Sequence, residues 1–572
     1  MGKINGGYLA AKALKNEGVE VVFTLVGGHI TQLLYGCRDA GIKVVDCRHE
    51  CAAAYAADAY ARATGKPGVV ITTAGPGITD TVTAMVEAKL LGSPVIHIGG
   101  AGMQPFVDTG ALQCINSLEI MATCTKWARR VTAGNRTAEY ITMAFRYALA
   151  DTPGPVYLEM PADVLAVPFD DDAEALPRRK KPVDLPVNYR TDAVPFGDPV
   201  LIDKVAEALA NAKKPAFFIG DHARWNAQYG ECFTKLAEHL QAPVMVCNLA
   251  RGIFIDDHHP LASIGGRCLC EADVIVEIGM NNNYLVRRGW APFFNADALL
   301  VQIDTDKNFI GFNTRADIGI VAGAGAAMKQ IYEALLKKMP NPVANGGWTA
   351  RAKELNGEYD AKVNGAANSD AIPINPGRCA MEVVKFLESD KGKDFSIICD
   401  GGEASLWSGL FAKASRASQV VTFGPLGTIG TGAGFSLGTY YGTGKPVIYY
   451  SGDGSFGFYP MEFDTFAKNN VPLVAVISND SAWGVIKLSE EYGNKDYVAK
   501  NGTVACELEM NRRYDLLPAM WGGVGVLVEK PEDIIPAIEK VIASGKPGIV
   551  NVVVDRVTLS PMTAGGSLST LM

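Results

Sequence analysis

The sequence predicts an α/β protein built on parallel sheets with helices on both faces. Three observations predict it. Helix-like and strand-like segments alternate through the first 160 residues, a second α/β block follows a polar linker, and residues 446–484 read as a βαβ unit. Parallel strands need crossover connections, and such connections are usually helices that cover the sheet.

In the first block the patterns predict helices over 7–18, 30–40, 51–64 and 78–91 and strands over 21–26, 43–46, 68–73, 94–99 and 156–161. The Pro-, Asp-, Lys- and Arg-rich stretch 168–199 has no sustained period and reads as a linker. The second block, from Val200 to about Lys338, predicts strands at 216–220, 243–247, 274–278 and 299–303. Its Asp221, His222, Asp304 and Asp306 stand at strand ends without a G-x-G-x-x-G turn, which favours turn and cap roles over a bound nucleotide or flavin. His258 and His259 read as a solvated loop pair. A polar connector over 340–375 leads to the last block, with strands at 396–399, 420–423, 446–450, 472–477 and 549–554. The first and third blocks share a similar architecture, although no residue-level repeat links them.

At 572 residues the chain is too long for one ordinary core. A net charge of -8 and an apolar share of 48% describe a globular protein with no basic footprint for nucleic acid or anionic membrane. No apolar run is long enough to span a bilayer, and residues 1–10 lack the apolar core of a signal peptide, so the expectation is a cytoplasmic protein. The twelve cysteines lack zinc or redox spacing and read as reduced thiols.

Chemistry concentrates in 446–484. The run Val447-Ile448-Tyr449-Tyr450 breaks at Gly452-Asp453-Gly454, and the run from Leu473 to Ile477 ends at Asn479-Asp480. Ligands of parallel sheets bind at strand C-termini, where two acidic loops offer oxygen donors to a hard cation that also holds phosphate oxygens. Glycines let the backbone approach a diphosphate closely.

This pattern resembles the diphosphate-anchoring motif of thiamine diphosphate (ThDP) enzymes, with Asn-Asp where that superfamily usually has Asn-Asn. The resemblance assigns Mg²⁺ to Asp453, Asp480 and the carbonyl of Ala482. It implies cofactor contacts at Gly402, Gly452, Gly454, Ser455, Trp483 and Gly484. Arg48-His49-Glu50, after a strand, then looks like the site of the activating glutamate, whose carboxyl drives the aminopyrimidine to its imino form. Thr73-Ala74-Gly75-Pro76-Gly77 resembles the glycine turn near the pyrimidine. In 423–430 the Gly427 carbonyl would accept the amine hydrogen bond, and Ile429 would wedge the cofactor into its bent shape.

The resemblance implies three doubly wound domains: pyrimidine-binding over 1–185, central over 195–340 and diphosphate-binding over 370–556, with a tail over 557–572. It also implies at least a homodimer and commonly a homotetramer, since the cofactor lies between the first domain of one subunit and the third of another. Across the substrate side, 4–7, 27–30, 48–50, 111–113, 125–128 and 462–465 look most similar to benzaldehyde lyase and its carboligase relatives. There His29 would relay the hydroxyl proton and Gln113 would orient the same oxygen. Ala162, Ser405 and Phe423 depart from that pattern and imply a reshaped pocket. The expectation is a ThDP- and Mg²⁺-dependent lyase or carboligase acting on 2-hydroxy ketones and aldehydes. The alternatives are a 2-keto acid decarboxylase of acetolactate synthase type or a 2-hydroxyacyl-CoA lyase. The tail 558–572 holds no Arg or Lys to clamp a CoA nucleotide.

Overall fold

The structure, a computed structural model, describes residues 4–169, 185, 187–263, 266–344, 346–510 and 512–564. Much of the expected linker and the last eight residues of the tail lie outside the described residues.

Three parallel sheets carry the fold. The first contains β1 (Val21–Leu25), β2 (Lys43–Asp46), β3 (Gly68–Thr72), β4 (Val95–Ala101), β5 (Trp127–Arg130) and β6 (Val156–Pro161), in the spatial order 2-1-3-4-6-5. The second contains β7 (Pro215–Ile219), β8 (Val244–Val246), β9 (Val274–Ile278), β10 (Leu299–Asp304) and β11 (Ile318–Val321), with β7 between β8 and β9. The third contains β12 (Ser396–Asp400), β13 (Val420–Thr422), β14 (Val447–Gly452), β15 (Leu473–Asn479), β16 (Gly525–Val528) and β17 (Gly548–Val553). Its order is β13-β12-β14-β15-β17-β16, the topology of the first sheet repeated strand for strand.

Interior strands such as β3 and β9 are buried along their whole length, because helices cover both faces. The patterns located these strands to within a residue or two. They missed β5, β11 and β16, and each of the three is a sheet edge. An edge strand pairs on one side only and can be short: WARR is polar at two of its four positions, and IGIV and GVLV are four-residue runs that each contain a glycine. Two further expectations are corrected. The segment 78–91 is two helices, Pro76–Thr79 and Val82–Leu90, and the polar connector contains a 21-residue helix, Gly347–Ala367.

By packing, the chain forms two compact units. One comprises Met1–Asp192 with Ala433–Gly444 and Tyr459–Asn470, and the other holds the remainder. Within the first unit the alanine-rich helix Glu50–Thr64 is the central element. It starts on His49, whose ring nitrogen accepts the Cys51 N–H at 3.1 Å, and ends at Gly65 in the left-handed region at φ 72°. Helix Gly432–Thr443 lies against it through Gly434 and Gly438. A Cβ at Gly434 would stand 2.6 Å from the Ala52 carbonyl oxygen, and one at Gly438 would meet the Ala56 carbonyl. Small residues on both helices permit this backbone approach, so Ala52, Ala56 and Ala59 are buried without large side chains.

Candidate active site

In the first unit, four loops at the C-terminal ends of β1 to β4 bring together residues far apart in sequence. Glu50 occupies the first helical position after β2 and is 7% exposed. Burial pushes its carboxyl above the ordinary range; nearby Asp80 pushes the same way and His49 opposes them. Its Oε1 packs against Gly77, where a Cβ would stand 3.4 Å away. The loop 73–77 also reaches His29, whose Nδ1 lies 3.1 Å from the Thr73 hydroxyl. Burial depresses the His29 pKa, against a hydrogen bond that the ring donates to the Leu112 carbonyl. Gly75 adopts φ 60° and faces Gln113, which is itself left-handed at φ 58°; a Cβ on Gly75 would come within 2.9 Å of the Gln113 Cβ. Only glycine permits that approach. Pro76 sits at the start of the short helix after this turn. Glu50, His29, Gln113, Gly75 and Pro76 thus lie in one loop cluster.

The second unit gathers the other predicted residues. Register places Gly452 beside Ser478, so Asp453 and Asp480 leave neighbouring strand ends. Both are buried or nearly so, and each is held above the ordinary carboxylate range. For Asp453 the causes are burial first and the Asp480 charge second. Neither Asp453 oxygen has a hydrogen-bond donor in good geometry, whereas Asp480 accepts the Ala482 N–H at 3.1 Å. Two facing carboxylates, one with both oxygens orphaned, fit a divalent cation, which would supply the charge and the bonds now missing.

Around this pair the cradle is tight. Gly454 faces the Trp483 ring, which a Cβ would meet at 2.7 Å, and a Cβ on Gly484 would collide with the Asp480 carboxylate. Gly402, Gly427, Ile429, Gly452, Ser455, Ala482 and Trp483 line the same cavity, of about 1260 Å³. Trp483 therefore both packs and lines. Ile429 is partly exposed on the cavity wall, unlike a core isoleucine. The expected departures Ser405 and Phe423 also line it.

Sequence reasoning missed several residues. Asp400, at the end of β12, accepts the Gly430 N–H at 3.0 Å, the Gly432 N–H at 2.9 Å and the Tyr449 hydroxyl at 3.1 Å, and so fixes the loop that carries Ile429. Its Asp-Gly after a strand repeats the local signal of Asp453. Glu403 accepts the Ser560 N–H at 2.8 Å and the Thr563 hydroxyl, tying the C-terminal segment to the cavity wall. Arg267, Arg287 and Arg288 also line the cavity, with Leu285, Trp290 and Phe293. In the middle sheet, Asp221, Asp304 and Asp306 accept backbone N–H groups, and His222 Nδ1 pairs with Asp304 at 3.0 Å, as turn and cap residues do. His258 and His259 form surface pairs with Asp256, Glu388 and Glu238.

Two sheets of one topology, one presenting a buried carboxyl and the other a glycine-lined acidic pair, define a cofactor-dependent α/β enzyme. Family models match all three blocks: "Thiamine pyrophosphate enzyme, N-terminal TPP binding domain" over residues 4–120, the central domain over 202–331 and the C-terminal TPP binding domain over 400–552. The chain belongs to the thiamine pyrophosphate enzymes, and its cofactor is thiamine diphosphate with a divalent metal, Mg²⁺ being typical of the family. Similar proteins include a probable acetolactate synthase of Mycobacterium bovis, 28% identical over 96% of each chain. A 2-hydroxyacyl-CoA lyase 2 of Bos taurus is 28% identical over 96% of this chain and 90% of its own. A probable acetolactate synthase large subunit of Methanocaldococcus jannaschii is 29% identical over 100% and 95%. The superfamily expectation holds. These relatives bear synthase and acyl-CoA lyase names rather than that of benzaldehyde lyase. Among the described residues no helix is long and apolar enough to cross a membrane.

Proposed function

We propose that the protein is a ThDP- and Mg²⁺-dependent lyase or carboligase that cleaves or forms the C–C bond of 2-hydroxy ketones from aldehydes. The observation that carries this reading is His29, an imidazole favoured in its neutral form and held on Thr73 within the loop cluster of Glu50 and Gln113. Asp453, Asp480 and the Ala482 carbonyl would hold the metal; Gly402, Gly452, Gly454, Ser455 and Gly484 would admit the diphosphate. Bound ThDP supplies the carbon nucleophile and the electron sink. Glu50, in a site that favours its protonated form, would hold a proton on the pyrimidine side. His29 would take the proton of the substrate hydroxyl as the C–C bond breaks and return it in ligation, while Gln113 orients that oxygen. The same reading makes the protein a cytoplasmic homotetramer, a homodimer at minimum.

The test is a screen of acyloins, 2-hydroxy acids and 2-keto acids, read by released aldehyde and by CO₂. Aldehyde without CO₂ from acyloins is the expected result; CO₂ from pyruvate with no acyloin cleavage overturns it. A second reading, a 2-hydroxyacyl-CoA lyase, gains from Arg267, Arg287 and Arg288 on the cavity wall, cations that the basic-residue-free tail does not supply. Faster cleavage of a 2-hydroxyacyl-CoA than of the matching acyloin would select it.

A further inference from the structure

Glu50 follows a turn whose backbone is held by one buried carboxyl 412 residues further along the chain. Glu462 is 2% exposed. Its Oε1 accepts the N–H of Arg48 at 2.8 Å and the N–H of His49 at 2.9 Å, and its Oε2 accepts the Thr465 hydroxyl at 2.8 Å. These two N–H groups belong to the residues immediately before Glu50, where strand β2 turns into the helix. Both would be unsatisfied without Glu462, since the helical ladder begins only afterwards.

The contacts around it reinforce the same loop. Arg48 pairs with Asp464, Lys468 holds both oxygens of Asp46 at 2.8 Å, and the Tyr459 ring packs on His49 at 5.0 Å between centroids. The two ion pairs are exposed and contribute little individually. Glu462 is buried and accepts two backbone donors at once, so its loss would leave two amides to find new partners.

We propose that Glu462 is a positioning residue that sets the reach of Glu50 by fixing the backbone of residues 48 and 49. The inference rests on the reading of Glu50 as the cofactor-activating carboxyl. Its physical content is reach: Glu462→Asp keeps the carboxyl but retracts the acceptor by about one C–C bond, or ~1.5 Å. Glu462→Gln keeps the reach and an acceptor oxygen while replacing the carboxyl by an amide.

The test measures amide hydrogen exchange across 46–53 in the cofactor-free protein, ThDP affinity and kcat for both variants and for Glu50→Gln. In Glu462→Asp, protection across 46–53 should fall and kcat should drop about 100-fold, the scale set by an ångström of misplacement. ThDP affinity should stay within about threefold, since the groups that hold the diphosphate are untouched. Glu462→Gln should keep the protection and most of kcat. Thr465→Val, which frees the second oxygen, should shift both readouts the same way by less. Glu462→Asp with native protection and native kcat would overturn the inference, as would equal losses in Asp and Gln variants. Failure of the underlying reading is separable, because it appears as undiminished turnover in Glu50→Gln.

Discussion

The first and third sheets have the same strand order and use the same four positions, yet their loops do opposite work. After the first strand of each sheet comes His29 in one and Gly402 in the other; after the second, Glu50 and the Gly427–Ile429 turn. After the third stand Gly75 and Asp453, and after the fourth Gln113 and Asp480. One sheet presents a protonatable carboxyl and an imidazole, and the other presents a pair of acidic groups among glycines. Within each sheet the topology brings the strand ends to one edge, and the loop residues there decide what that edge can bind.

That contrast predicts separable failures. The largest effect should come from Glu50→Gln, with kcat down about 10³-fold and ThDP affinity near native, measured by steady-state kinetics and cofactor titration. A matched loss of affinity would break the division of labour. Asp453→Ala should act on the other side, weakening Mg²⁺ and ThDP binding by at least about 100-fold, measured calorimetrically. Chelation of the metal from the native enzyme should reproduce this loss, and added Mg²⁺ should reverse it. His29→Ala should lower kcat for acyloin cleavage by about 100-fold while leaving cofactor affinity unchanged. An unchanged rate would return His29 to a loop residue.

The smallest predicted effect concerns the middle sheet. Its buried Glu277 accepts amide donors from Asn282 at 2.8 Å and Gln302 at 2.7 Å, yet burial pushes its carboxyl up to about 7. A folded-state pKa raised above the unfolded 4.5 gives stability that is complete at low pH and lost as pH rises through about 7. The whole span corresponds to roughly 3 kcal/mol at most. Glu277→Gln should therefore raise Tm relative to the native protein at pH 8, and the difference should shrink towards pH 5. A difference independent of pH would assign the effect to packing.

Much of the candidate site was legible because its signals are local. Gly452-Asp453-Gly454 and Asn479-Asp480 end two buried strands, and Arg48-His49-Glu50 follows a third; each can be read within a few residues. Asp400 escaped although it carries the same strand-Asp-Gly signal, because its partners Gly430, Gly432 and Tyr449 are distant in sequence. Glu462 escaped for the same reason: nothing in EFDT announces that its carboxylate closes on residues 48 and 49. The edge strands β5, β11 and β16 escaped because one neighbour and partial exposure demand little of a sequence.

The sequence by itself determined the α/β class, the three sheets and the two acidic motifs, since hydrophobic period and glycine placement are properties of a short window. Only the tertiary structure decided that the first and third sheets share one strand order, and that glycines 434 and 438 let a helix lie on Glu50–Thr64. It also decided that Glu462 holds the loop of Glu50. Each of these depends on which surfaces meet across hundreds of residues, and a linear pattern carries no record of the backbone N–H that a buried carboxylate will find.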